Sequence, residues 1–87
     1  MTEEQAIRLV KKLCETENVP ADGWIKWSFN RPGPKVLRRE DEEGRTHTAY
    51  IRKDATVVLI NDTPGKKWEV ITEQPVFSIM TPEEVFA

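Results

Sequence analysis

Val57-Val58-Leu59-Ile60 is the longest unbroken aliphatic run in the chain. β-branched and aliphatic residues in succession need cover on both faces, which predicts a central strand over 56–60. Asn61-Asp62-Thr63-Pro64-Gly65-Lys66 follows it. Here Pro presets φ and Gly accepts a positive φ, which is turn chemistry. Trp68 and Val70 then alternate with Lys67 and Glu69, predicting an antiparallel partner strand over 67–72. On the other side, Lys53-Asp54 is short enough to reverse the chain between 56–60 and a strand over 46–52. The stretch 46–72 therefore reads as a three-stranded meander, and the rest of the chain must be arranged around it.

The 87 residues have room for one core, so 1–87 is expected to be a single domain. With 38% hydrophobic and 32% charged residues, the composition is that of a folded domain with a well-solvated surface. The three Trp and three Phe are expected to supply much of the core. A net charge of −2 gives no overall basic field toward nucleic acid or anionic lipid. The one Cys has no internal partner, which favours a reducing compartment. The N-terminal MTEEQAIRLVKKLC has no apolar run of export-signal length, and no stretch is long enough to span a membrane. The expected location is the cytoplasm.

Thr2 and Gln5 have the spacing of a capping box, and Glu3 and Glu4 suit the first turn of a helix. Ala6, Ile7, Leu9, Val10, Leu13 and Cys14 share one arc, predicting an amphipathic helix over 3–17 that ends at Asn18 and Pro20. Trp24 to Phe29 alternates as a strand over 24–29. Ile25, Trp27 and Phe29 are assigned to the helix-facing side, with Trp24, Lys26 and Ser28 opposite. The charges of 35–39 and the adjoining Pro34 suggest an edge strand, followed by an acidic turn at Glu40-Asp41-Glu42-Glu43-Gly44. Glu73-Gln74-Pro75 is expected to break the last meander strand. Val76 to Met80 then forms a sixth strand or an extended covering segment. Thr81-Pro82-Glu83-Glu84 is a helix start, so either one turn docks through Val85 and Phe86 or a longer helix begins. The expected fold is α+β: one N-terminal helix on a twisted antiparallel sheet of five or six strands. This order of elements resembles the cystatin-type layout, in which a bent sheet wraps one helix. The resemblance implies a fold and carries no function.

Residue types suited to catalysis are sparse. Cys14 and His47 form the one conceivable nucleophile–base pair. Cys14, however, lies on the apolar arc near a helix C-terminus, where the dipole disfavours a thiolate. One His and one Cys make no zinc set. The acids at 40–43 are consecutive and lack the alternation of a calcium loop. Gly23, Gly33, Gly44 and Gly65 are isolated, so no phosphate loop is present. No catalytic, metal or cofactor residue is assigned.

Two binding readings remain. Basic residues interleaved with aromatics over 24–53 could contact single-stranded nucleic acid through Arg31, Lys35, Arg38 and Arg39. The favoured reading starts from the second face of the sheet, which one helix cannot cover. Alternation assigns Trp24, Tyr50 and Ile71 to that face with Arg52 at its margin, together with either Val58 and Ile60 or Val57 and Leu59. Its cover is the segment 76–86, a second copy of the chain, or another protein. The expected function is that of a small intracellular binding protein of inhibitor, immunity or adaptor type.

Overall fold

The computed structural model describes residues 1–29 and 33–87. Helix α1 (Glu3–Thr16) is followed by strands β1 (Ile25–Ser28), β2 (Lys35–Glu40), β3 (Thr46–Ile51), β4 (Thr56–Asn61) and β5 (Glu69–Pro75). Two short helices, α2 (Val76–Ile79) and α3 (Pro82–Val85), follow. The strands form one antiparallel meander in the order β1-β2-β3-β4-β5. This is the expected α+β arrangement, with five strands.

The capping box forms in both directions. Gln5 N–H donates to Thr2 Oγ1 at 3.1 Å, and Thr2 N–H donates to Gln5 Oε1 at 2.8 Å. At the other end Asn18 adopts a φ of 56°, and Val19 N–H returns to the Cys14 carbonyl at 2.9 Å. An αL residue of this kind stops a helix, and Asn tolerates it. Ala6, Leu9, Val10, Leu13 and Cys14 are buried, as their spacing requires. They pack on Leu37, Ala49, Ile51, Val57 and Leu59. These sheet residues share one face, because Leu37 pairs with Ala49, Ala49 with Leu59, and Ile51 with Val57. In the turn before β5, Gly65 takes a φ of 79°, and Lys66 N–H closes on the Thr63 carbonyl at 3.1 Å.

Strand β1 corrects the expected faces. Ile25 pairs with Arg38, and the register shifts between Lys26 and Ser28. The bulge breaks the period of two. Ahead of the bulge the strand alternates with the opposite parity to that expected, so Trp24 turns to the core while Ile25 and Trp27 stand 57% and 62% exposed. Past the bulge, Phe29 packs against the core. Strand β2 is an interior strand with partners on both sides, and β1 and β5 are the edges. Its charges are tolerated because Arg38 lies over the Trp27 ring and Arg39 is enclosed by acceptors. The core is mostly aliphatic. Trp24 is the buried Trp, whereas Trp27 and Trp68 are exposed, as are Phe77 and Phe86.

Strand β5 also departs from expectation. It begins at Glu69 and runs through Glu73-Gln74-Pro75, which pair with Val58, Val57 and Thr56. A second bulge, opposite Leu59 and Ile60, leaves Ile71 between the paired Val70 and Thr72. Ile71 packs against the core cluster. Val76 to Ile79 is helical, so there is no sixth strand there. Thr81 and Glu84 cap α3 reciprocally, and Val85 is buried while Phe86 is exposed. Arg8 holds this end by donating to the Val85 and Ala87 carbonyls at 3.3 and 3.2 Å. Val76 and Val85 thus join the α1 side of the sheet. The segment 76–86 does not supply the layer that the opposite face lacks.

Candidate functional site

The face opposite α1 is built from cross-strand rows. In one, Val36 pairs with Tyr50, Tyr50 with Val58, and Val58 with Glu73. In the other, Ile25 pairs with Arg38, Arg38 with Thr48, Thr48 with Ile60, and Ile60 with Val70. The expectation left open which aliphatic pair of β4 lies here; it is Val58 and Ile60. They are only 4% and 5% exposed, because neighbouring side chains on the same face shield them. The flanks are different. Trp27 and Ile25 stand out on the β1 side, and Trp68 and Val70, 60% and 46% exposed, on the β5 side. Between Tyr50, Val58, Ile60, Trp68 and Val70 lies a shallow depression of about 350 Å³.

The two arginines on this face are already paired. Arg52 Nη1 lies 2.8 Å from Glu73 Oε1, and Arg38 Nη2 lies 3.6 Å from Asp62 Oδ2. The Arg38 guanidinium also sits 5.2 Å from the Trp27 ring centroid. The Thr48 hydroxyl donates to Asp62 Oδ2 at 2.7 Å. The surface is thus apolar with internally neutralised cations, a composition suited to docking another protein and poor for tracking phosphates.

Of the residues expected here, Tyr50 and Arg52 are in place. Trp24 is not: it is 5% exposed, inside the core. Ile71 is likewise drawn to the core by its bulge. Ile25, Trp27, Trp68 and Val70 take their place. Alternation alone cannot show which parity meets the helix, and Trp24 and Trp27 have opposite parity.

Arg39 is the other correction. Its side chain is 0% exposed. Nε donates to the Asp22 carbonyl at 2.7 Å, and Nη2 donates to Asp41 Oδ2 at 3.2 Å. Nη1 lies 2.9 Å from His47 Nδ1. A guanidinium only donates, so Nδ1 is the acceptor and the His47 proton is on Nε2. Burial, and then the Arg39 charge, hold the His47 pKa below its ordinary value. Burial opposes the Asp41 carboxylate, but the Arg45 backbone N–H and the Arg45 and Arg39 side chains outweigh it, so the Asp41 pKa is lowered. Four of the five Arg39 N–H donors are thus engaged and the side chain is enclosed, so it does not reach a phosphate. Lys35 lies over the Phe29 ring at 5.7 Å, Arg38 is engaged as above, and Arg31 lies outside the described residues.

Cys14 is fully buried, and desolvation pushes its thiol pKa up against the weaker opposite pull of the neighbouring Trp24 indole. His47 Nδ1 is occupied by Arg39. The two residues are thus used structurally. Among the described residues, no group of three or more His, Cys, Asp or Glu is placed to hold a metal ion, and no helix is long and apolar enough to cross a membrane. No family model, curated protein or solved structure matches this chain.

Proposed function

We propose that this chain is a small intracellular binding protein of inhibitor, immunity or adaptor type, acting through the uncovered face of its sheet without catalysis of its own. One observation carries the reading: exposed Trp27 and Trp68 flank an apolar floor whose arginines are already ion-paired. Trp side chains concentrate binding energy because they bury large area at modest entropy cost. The partner is a different protein presenting an apolar, charge-poor surface. A sheet this wide and six residues deep has a flat footprint of roughly 500 Å², below the ~800 Å² per partner of a stable interface. A second copy meeting it flat would be too small, whereas a partner that also grips the Trp27 and Trp68 flanks gains the missing area. The buried, unpaired Cys14 is consistent with a cytoplasmic setting. Nucleic-acid recognition is the second reading, and the ion-paired Arg38 and the enclosed, hydrogen-bonded Arg39 disfavour it.

A photo-crosslinking residue placed at position 27 or 68 in the native host tests this reading. Both positions are expected to capture the same protein, resistant to nuclease and high salt, while position 15 on the exposed side of α1 captures none. A self-adduct would replace the proposed partner with a second copy. No adduct, or one lost on nuclease treatment, would overturn the reading.

A further inference from the structure

A second cavity, of about 200 Å³, opens on the α1 side of the sheet, away from the Trp27–Trp68 face. Its apolar part is made by Ile51, Ala55 and Val76, with Phe77 and Phe86 at the mouth. The two Phe rings meet at 6.5 Å and 52°, yet remain 45% and 55% exposed. Large apolar side chains at the rim of an apolar cavity invite a further apolar group. Drug-sized pockets run to about 300–1,000 Å³, so this one admits a single large side chain.

The charged residues lining it are Lys35, Arg52 and Lys53, with no carboxylate among the lining residues. This is notable in a chain whose net charge is −2. Arg52 is committed to Glu73. Lys53 and Lys35, the latter with its ammonium over the Phe29 ring, have no ion-pair partner among the described residues. From this charge complementarity we infer that the cavity is a docking site for an acidic peptide segment, in which one aromatic or long aliphatic side chain is flanked by carboxylates. The apolar side chain enters beside the packed Phe77–Phe86 pair, and the carboxylates meet Lys35 and Lys53. A base stacked on Phe77 with its phosphates on the lysines is the competing occupant, and the hexanucleotide arm of the test distinguishes it. The site adjoins the open face only through Arg52, which lines both depressions, and does not rest on the function proposed above.

The test is a titration of the isotope-labelled full chain, followed by amide NMR, with blocked Glu-Phe-Glu-Glu peptide. Gln-Phe-Gln-Gln peptide, phenylacetate and a thymidine hexanucleotide are the comparisons. The acidic peptide is expected to shift Ile51, Lys53, Phe77 and Phe86 and to weaken with salt. The Gln peptide should bind roughly five- to tenfold more weakly, from two partly exposed ion pairs. Lys35→Gln/Lys53→Gln should reduce affinity for the acidic peptide by a similar factor with an unchanged melting temperature. Phe77→Ala should weaken both peptides. Absence of shifts at millimolar peptide, equal affinity for the two peptides, or shifts confined to Trp27 and Trp68 would overturn the proposal. So would phenylacetate binding as tightly as the peptide, or the hexanucleotide binding more tightly.

Discussion

Arg39→Ala is expected to cost about 3–5 kcal/mol of stability, the cost of breaking a buried ion pair by removing one partner. The guanidinium is fully enclosed, and its loss leaves a cavity in which the His47 Nδ1 acceptor and the Asp22 carbonyl lose their donor, while Asp41 keeps only its Arg45 ion pair. For a domain of 87 residues this lowers the melting temperature by roughly 12 °C or more. Arg39→Met/His47→Leu removes donor and acceptor together and should recover part of the loss. The same cluster sets an acid limit. Because the folded state holds His47 below its ordinary pKa of 6.5, the unfolded chain takes up that proton first. Stability present above that pH is therefore lost as pH falls through the folded-state value, and Asp41 adds a further loss below its ordinary 3.8. His47→Gln should flatten the upper part of this curve. Melting curves across pH check both statements. A change of only a few degrees in Arg39→Ala would contradict the buried-pair account.

The second large effect separates the tryptophans. Trp24 is in the core at 5% exposure, so Trp24→Ala should destabilise by about 3–5 kcal/mol. Trp27→Ala and Trp68→Ala remove side chains that are 62% and 60% exposed, and should each stay within about 0.5 kcal/mol of the parent. Denaturant titrations of the three variants give the comparison directly. If Trp27→Ala proved as destabilising as Trp24→Ala, Trp27 would be a core residue and the uncovered face would lose its β1 flank.

This pair of residues also shows how far the sequence could be read. Helix α1 was legible because capping and period agree: Thr2 and Gln5 start it, and Ala6, Leu9, Val10, Leu13 and Cys14 repeat at helical spacing. The meander was legible from the Val57–Ile60 run and from the Pro64-Gly65 turn. Tyr50 and Arg52 were found on the uncovered face because β3 pairs regularly with both neighbours. Trp24 was misplaced because alternation does not show which parity meets the helix, and Ile71 where regularity fails. The shift between Lys26 and Ser28, and the one beside Ile71, each break the count of two on an edge strand. A bulge leaves little trace in residue types, because it depends on how the neighbouring strand pairs. Arg39 was misread for another reason. Its enclosure depends on Asp22, 17 residues away, and on His47, eight away, and local pattern does not report such contacts. Strand β2 consequently looked like an edge when it is interior.

The central claim is that the Trp27–Trp68 face binds a protein by apolar contact. Its most direct test is the affinity of the crosslinked partner, once identified, for wild type and for Trp27→Ala/Trp68→Ala at low and high salt. The account predicts a loss of about 100-fold or more in the double variant, at nearly unchanged stability. It also predicts a wild-type affinity that changes little with salt. Unchanged affinity in the double variant, or a wild-type affinity that collapses as salt rises, would contradict it.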